Sequence, residues 1–321
     1  MWDIVPGTLY RWYREHLSDY RPDRSSGRWP SKVVISADEE TGEVLEEKPV
    51  YVFKPDNLGE RMSIDDKAIG HEGYTIMSNT DTGKIALLIE STRCDELEKA
   101  MQLFGDEMTK VKSISLDMSP TYLKVCQEQM PHAQKVIDKF HVMQYVYDAV
   151  LDVRSRIKKE LAGKLSKGKE KSMEDKAILY EIEQLKHCRY RLTQSPDKWS
   201  DAGKELMKRL FENHQELKTA YQISQQFKKW YDINNCRGDK KMTKENLYKW
   251  YYTIKNAGIK EFVSVARMVR KHEYEILNFF SCGHTNAKAE QLNGKIQRFI
   301  SANYGFKDKY FALYRLANYF A

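Results

Sequence analysis

Three acidic residues, far apart in the chain, stand where carboxylates can do metal chemistry: Asp65, Asp117 and Glu290. Ser113-Ile114-Ser115-Leu116 alternates polar and apolar residues and reads as a strand, with Asp117 directly after it. Ser119-Pro120 then reads as a helix start. Asp117 is therefore expected at the carboxyl end of a strand, where α/β sheets hold their reactive groups. Met62-Ser63-Ile64-Asp65 repeats this phase, with Ser63 and Asp65 on one face and Met62 and Ile64 on the other. That parity selects Asp65 over Asp66, which reads as a solvated or supporting neighbour. Over residues 286–303 the spacing is helical. At about 100° per residue, Asn286, Asn293 and Gln297 fall within about 60° of Glu290, while Leu292, Ile296 and Phe299 fall on the far side. Gly294 inside this helix suggests a close approach by a neighbouring element.

The chemistry of such a set is that of a hard divalent cation. Mg²⁺ binds a few carboxylates and keeps positions for water and phosphate oxygens. Two ions about 3.5–4 Å apart can activate an attacking oxygen and stabilise a leaving one in phosphodiester cleavage or transfer. Two strand-end carboxylates would give rigidity, and one on a helix would complete the second site. Taken singly, each of the three reads as a surface carboxylate. Their order singles them out: end of a first strand, end of a fourth, then a late helix. Asp138 and His141 stand where a further strand gives way to a long helix. They read either as supporting or proton-transfer groups or as residues that cap and fix that helix.

The elements that must position these residues follow from periodicity. Residues 62–69, 73–80 and 84–90 read as strands, with Asp81-Thr82-Gly83 a tight turn. Residues 95–104 have helical spacing, with Leu97, Met101 and Phe104 on one face. A strand at 111–117, a helix at 122–130, a strand at 134–138 and a long helix from 141 complete the order β-β-β-α-β-α-β-α. That order is the one of a ribonuclease-H-like mixed sheet, within an α/β class. From 142 to 281 strand signals vanish, and helices are expected near 174–193, 200–212, 214–235, 243–256 and 258–279. The first helix of this block carries Val142, Tyr145, Val146, Ala149 and Val153 as an apolar stripe. The expected organisation is an N-terminal region over 1–60, a catalytic core over 61–141, a helical insertion over 142–281 and the closing core segment over 282–321.

Within 1–60, Trp2, Tyr10, Trp12, Tyr13 and Tyr20 alternate with Arg11, Arg14, Arg21, Arg24 and Arg28. This pattern suits either nucleic-acid stacking or an arm packed on the body by its aromatics. Lys32–Ile35 and Val50–Phe53 read as the strands of a small hairpin. In the helical block, Arg154, Arg156, Lys158, Lys159, Lys164, Lys167, Lys169, Lys171, Arg237, Lys240 and Lys241 are candidates for phosphate contact. The competing reading is a solvated charged surface.

The net charge of +7 fits a polyanionic partner, and the 20 Tyr and 6 Trp mark a chain with a packed core rather than a disordered one. Five widely spaced cysteines, with no CxxC, argue against a disulfide framework and a zinc ribbon. No apolar run reaches the roughly 18 residues of a membrane span, and no signal core opens the chain. A cytoplasmic location without membrane partners is the expectation.

Several runs are specific enough to suggest a family. They are Ile64-Asp65-Asp66-Lys67, Ser115-Leu116-Asp117-Met118-Ser119, Pro131-His132-Ala133-Gln134 leading into Ile137-Asp138-Lys139-Phe140-His141, and Asn286-Ala287-Lys288-Ala289-Glu290 through Asn293. Together they resemble the DDE transposases of bacterial insertion sequences, in particular the ISL3 family, whose ribonuclease-H-like domain is interrupted by a helical insertion before the glutamate. The resemblance covers about 60–320, and Tyr304-Gly305-Phe306 is similar to the family's closing segment.

The resemblance implies Asp65, Asp117 and Glu290 as catalytic and metal-binding residues, with Asp66, Asp138, His141, Asn286 and Asn293 around them. It implies Mg²⁺ as cofactor, with Mn²⁺ as a substitute. The substrates would be double-stranded DNA at insertion-sequence ends and at a target. The protein would act as a homodimer or larger assembly on DNA, in the bacterial nucleoid. Full-length relatives carry a zinc-binding motif and a helix-turn-helix ahead of the catalytic domain. This chain begins at Met1 with neither and so resembles split members, whose end-binding domain sits on a separate polypeptide; either such a partner or the basic insertion and N-terminal arm of this chain would then recognise the ends. Two further readings stand beside this one: a non-catalytic DNA-binding relative, and a nuclease of the same fold that hydrolyses without joining strands.

Overall fold

A computed structural model describes residues 5–18, 20, 32–37, 41, 44–69, 71–166, 172–232, 239–282, 287–302 and 308–321. The side chains of 32–37, 44–47, 282 and 287–290 lie outside the description. The chain divides into two units, one formed by 1–138 with 284–321 and the other by 139–283.

The first unit is mixed α/β. Its elements begin with α1 (Pro6–Trp12), β1 (Lys32–Ala37), β2 (Val44–Phe53), β3 (Arg61–Ile69), β4 (Glu72–Asn79) and β5 (Ile85–Ile89). They continue with α2 (Cys94–Gln102), β6 (Ser113–Leu116), α3 (Pro120–Gln129) and β7 (Gln134–Ile137). Seven strands form one sheet in the order β1-β2-β5-β4-β3-β6-β7. β3, β6 and β7 run parallel, and the remaining neighbours pair antiparallel.

The expected meander is present. Gly83, at φ 75°, makes the turn into β5, and the Asn79 Oδ1 accepts from the backbone N–H groups of Asp81 and Thr82 at 2.8 and 3.1 Å. β5 is Ile-Ala-Leu-Leu-Ile and is buried along its whole length, as suits a strand with neighbours on both sides and both faces covered. The N-terminal hairpin is not a separate feature. β2 pairs with β5 and carries β1 at its outer edge, because Val50, Tyr51 and Val52 supply the apolar surface that the edge of β5 needs. Leu97, Met101 and Phe104 are buried as the helical spacing requires.

The two faces of the sheet are covered by different helices. One face, carrying Tyr74, Ile76, Ile85 and Leu88, packs against Leu292 and Ile296 of the helix Ala287–Ala302 and against Phe311, Leu313 and Leu316 of the helix Lys309–Phe320. The expected inner stripe of the 287–302 helix is therefore the one buried, with Phe299 at its margin. Gly294 is exposed, and nothing would lie within 4 Å of a Cβ there, so the expected close approach does not occur among the described residues. The N-terminal aromatics pack on this face too. The rings of Tyr10, Tyr13 and Tyr20 lie 5.4, 5.8 and 5.0 Å from that of Phe311, and Arg14 pairs with Asp308 at 2.7 Å. These aromatics serve packing, while Trp12 stays 46% exposed. Trp2, Arg21, Arg24 and Arg28 lie outside the described residues.

The second unit is helical: α4 (Lys139–Gly163), α5 (Met173–His187), α6 (Asp201–Asn213), α7 (Gln215–Trp230), α8 (Lys240–Ala257), α9 (Lys260–Lys271) and α10 (Glu273–Cys282). α4, 25 residues long, packs on α5, α7 and α9. Local chemistry sets the ends. Ser172 and Asp175 form a capping box on α5, Ser200 caps α6, and the Asp239 side chain caps α8. Gly258, at φ 65°, ends α8 in the left-handed conformation that a side chain would strain.

Three expectations change here. The span 174–193 stops as an α-helix at His187 and continues as a short 3-10 turn over Arg191–Thr193. The span 258–279 is two helices, broken at His272. Tyr145 leaves the apolar stripe of α4 and is 52% exposed. The unit's core is aromatic, with Phe227, Tyr231, Trp250 and Phe262 fully buried. The indole N–H groups are satisfied by backbone carbonyls, Trp230 to Thr243 at 2.9 Å and Trp250 to Ile223 at 3.1 Å. Among the described residues no helix is long and apolar enough to cross a membrane.

In chain order, the helices that close the first unit are α11 (Ala287–Ala302) and α12 (Lys309–Phe320).

Candidate active site

β3 and β6 set the first two carboxylates. They pair in parallel with Arg61 opposite Ser113, Met62 opposite Ile114 and Ser63 opposite Ser115. Asp65 lies two residues beyond Ser63, and Asp117 lies two beyond Ser115. Each acid thus lies two residues beyond the last pair of this ladder, Asp117 just past the end of β6 and Asp65 inside β3 rather than at the strand end expected for it. Their strands end differently. β3 continues to Ile69 against β4, whereas β6 stops at Leu116 and the chain turns. The Asp117 Oδ1 makes that turn, accepting from the Ser119 backbone N–H at 2.7 Å. Ser119 then leads into α3 with Pro120 in its first turn. Asp117 therefore joins the end of a strand to the start of a helix.

Parity holds for the first acid. Asp65 pairs with Ile76, whose side chain belongs to the core face under α11, and Asp66 pairs with Thr75 on the opposite face. Asp65 is half-buried and Asp66 exposed. The Asp65 carboxylate is held on both oxygens. Oδ1 accepts from the Asp66 backbone N–H at 3.0 Å, and Oδ2 accepts from the Asn293 side-chain amide at 2.6 Å. This second bond brings α11 to β3 across 228 positions of sequence.

Glu290 lies on α11, three residues before Asn293, and its side chain is among those not described. Asn286 lies outside the described residues altogether. Asp138 follows β7 and is half-buried, and its backbone N–H donates to the Leu116 carbonyl at 2.8 Å, extending the β6–β7 ladder up to the level of Asp117. His141 belongs to the helical unit, on the first turn of α4, where its ring meets Phe140 edge-on at 5.7 Å.

Sequence reasoning missed a buried pair beneath the acids. The Tyr122 hydroxyl lies 3.1 Å from Thr75 Oγ1, and Thr75 Oγ1 donates to the Ser91 carbonyl at 2.6 Å. A carbonyl can only accept, so the threonine proton is committed there and the tyrosine donates to the threonine. The chain Tyr122→Thr75→Ser91 ties the first turn of α3, which follows Asp117, to the strand opposite Asp66. Burial pushes the Tyr122 phenol far above its ordinary range, and the nearby carboxylates of Asp66, Asp117 and Asp65 push it the same way. The only sequence signal was a tyrosine three residues into a helix whose start was already read.

The basic candidates separate clearly. Arg154 is 8% exposed, and its guanidinium donates to the Leu185 carbonyl at 2.9 Å, so it serves the core of the helical unit and not a phosphate. Arg156 is enclosed by carboxylates, with Glu216 at 2.6 Å, Glu261 at 2.9 Å and Glu160 at 3.3 Å. Hydrogen bonds to Glu216 and Glu261 hold its proton still more firmly than usual. Lys158 is half-buried, while Lys159, Lys164, Lys240 and Lys241 are exposed. Lys167, Lys169, Lys171 and Arg237 lie outside the described residues.

Among the described residues, no group of three or more His, Cys, Asp or Glu side chains is gathered closely enough to hold a metal ion. Asp65 and Asp117 supply hard oxygen donors of the kind Mg²⁺ takes, and the third acid of the expected set is one whose side chain is not described. Paired carboxylate oxygens of this kind are donors that suit a hard divalent cation.

Comparison with known proteins agrees with the motif runs. A family model for the ISL3-type DDE transposases, described as a transposase, matches residues 62–316. The chain belongs to this family. No curated protein and no solved structure matches it significantly.

Proposed function

We propose that this protein is a DNA transposase that hydrolyses phosphodiesters at insertion-sequence ends and transfers the freed 3′-hydroxyl to target DNA. The observation that carries the reading is the 2.6 Å bond from Asn293 to Asp65. It brings the helix bearing Glu290 to the strand bearing Asp65. Residues three apart are neighbours on a helix surface, which supports Glu290 as the third member of the set. The in-register pairing of β3 with β6 supports Asp117 as the second. A ribonuclease-H-like core is the fold reading, supported by the chain order β3-β4-β5-α2-β6-α3-β7-α4.

In this reading Asp65, Asp117 and Glu290 would hold Mg²⁺, or Mn²⁺ in its place. When bound, the cations would lower the pKa of an attacking water or hydroxyl and stabilise the leaving oxygen. Asn293 and the Asp66 backbone N–H orient the Asp65 carboxylate. The Ser119 N–H orients that of Asp117. Tyr122 and Thr75 tie the helix that follows Asp117 to the strand paired with Asp66. The substrate is double-stranded DNA, bound as a homodimer or larger assembly in the bacterial nucleoid. Exposed Lys159, Lys164, Lys240 and Lys241 are the best described candidates for phosphate contact.

The test is a donor plasmid carrying the element's ends, incubated with the protein, MgCl₂ and a target plasmid. Strand cleavage and joined products are expected, and both should vanish in Asp65→Asn, Asp117→Asn and Glu290→Gln. Activity surviving in any of the three would defeat the assignment. Cleavage without joining would favour a nuclease, and binding without either would favour a non-catalytic relative.

A further inference from the structure

The helical unit carries a slot that the carboxylate site does not use. α8 and α9 form a hairpin turned by Gly258. Tyr248, Tyr251, Tyr252 and Lys255 stand at i, i+3, i+4 and i+7 on α8, so they share one face. Val263, Ala266, Arg267 and Arg270 repeat that spacing on α9. The two faces line an open groove of about 520 Å³, within the usual range for a small-ligand site.

This is not a seam left by poor packing. The inward faces of the two helices are already filled, by Leu247 and Trp250 on one and by Phe262, Val265 and Val269 on the other, while the buried Ile254 closes the base of the slot. The small Ala266 faces the tyrosines and leaves space. Tyr252 is 66% exposed and Tyr248 48%, so both rings are open to solvent along the slot. Tyr251 forms the floor, and the Arg270 guanidinium sits over its ring, 4.6 Å from the centroid. The Tyr248 and Tyr251 hydroxyls reach Glu273 at 3.4 and 3.3 Å, which fixes the rings from one end. Three cations, Lys255, Arg267 and Arg270, line the slot, and among the described residues no carboxylate does.

Aromatic faces together with cations define the ligand. The cations call for an anion, and the rings call for a flat π-system. A duplex offers phosphates and groove edges but keeps its base faces stacked inside. A single strand offers both. We infer that the α8–α9 slot binds single-stranded DNA, taking one unstacked base against Tyr248 and Tyr252 and the flanking phosphates against Lys255 and Arg267. The inference stands on this slot alone and needs neither metal nor the acidic residues.

The experiment uses the full chain in EDTA, with a short single-stranded oligonucleotide containing one 2-aminopurine. Excess unlabelled duplex occupies other basic surfaces. Binding by the unaltered protein should quench the 2-aminopurine. Base–aromatic stacking is worth about 1–3 kcal/mol per base, so Tyr248→Ala with Tyr252→Ala should weaken single-strand binding by tenfold or more and abolish the quench. Duplex affinity should not change. Tyr252→Phe keeps the ring and should keep the quench. Arg267→Gln should make the salt dependence shallower by about one unit of slope.

Undiminished single-strand affinity and quenching in the double tyrosine variant would overturn the inference. So would an equal loss for single strand and duplex, which would make the slot a backbone-binding surface. If the double variant melts early, Tyr252→Phe and Arg267→Gln decide instead. Because EDTA removes metal chemistry, failure here leaves the transposase reading standing, and failure of cleavage leaves the slot standing.

Discussion

The side-chain amide of Asn293 donates to the Asp65 carboxylate at 2.6 Å, joining a late helix to the first core strand. A hydrogen bond to a charged group is worth about 1.5–3 kcal/mol, and its loss where the carboxylate must hold one orientation should appear in turnover. Asn293→Ala is expected to lower cleavage by about 10- to 100-fold. Asn293→Asp should lower it further, because a second carboxylate would face Asp65 at contact distance. Rates of single-turnover cleavage by the two variants check this. An alanine variant as fast as the parent would remove Asn293 from the site.

Tyr122 is expected to act through Asp117. Tyr122→Phe deletes the donor to Thr75 and leaves the threonine bonded to Ser91, so the helix after Asp117 loses its tie to the strand opposite Asp66. The stability cost should be about 1 kcal/mol. The functional cost should fall on metal response, with half-maximal activity needing several-fold more Mg²⁺. Titrating Mg²⁺ in Tyr122→Phe and Thr75→Val checks it. A variant that melts lower but keeps the parent's Mg²⁺ midpoint would make the pair a packing feature only.

Most of what positions Asp65 and Asp117 was legible in the sequence, because it is local. The alternation around Met62–Asp65 and Ser113–Leu116 reports which face each side chain takes, and Ser119-Pro120 reports where the strand ends. The stripe of Leu292 and Ile296 likewise gave the buried side of α11. What stayed hidden depends on pairings between distant segments. Nothing near Thr75 announces that Tyr122 will reach it. Nothing in the first 53 residues says that β2 will pair with β5 rather than stand as a separate hairpin. Arg154 and Arg156 misled for the same reason. In sequence they continue into a basic run, but helical periodicity turns Arg154 inward and sets Arg156 against Glu216 of α7 and Glu261 of α9.

That distinction is measurable. Neutralising Lys159 and Lys164 should make the salt dependence of DNA binding shallower, by about one unit for each phosphate that is no longer neutralised. Arg156→Met should leave the slope unchanged. It should instead lower the melting temperature, since it leaves Glu216 and Glu261 without their shared partner, at a cost of about 1–3 kcal/mol. Arg154→Met should behave likewise. A shallower slope in Arg156→Met with no loss of stability would return that arginine to the DNA-binding surface.

Glu90 gives a prediction in pH. It lies just past β5, where the Tyr51 and Tyr74 hydroxyls donate to it at 2.7 and 3.1 Å and Lys309 of α12 lies 2.9 Å away. Burial alone would raise its pKa, but the hydrogen bonds from Lys309, Tyr51 and Tyr74 and the Lys309 charge outweigh that and hold it below its ordinary value. A carboxyl with a lowered folded-state pKa contributes stability that is fully present above its unfolded value, about 4.3, and is lost as pH falls through the folded value. The melting temperature of the parent should therefore drop steeply as the pH is taken below about 4.3. Glu90→Gln should melt lower near neutrality, because the ion pair with Lys309 is gone. Its decline in acid should be shallower, because the group that must take up a proton has been removed. Melting curves across this range that run parallel for the two proteins would show that the α12 contact does not depend on the charge of Glu90.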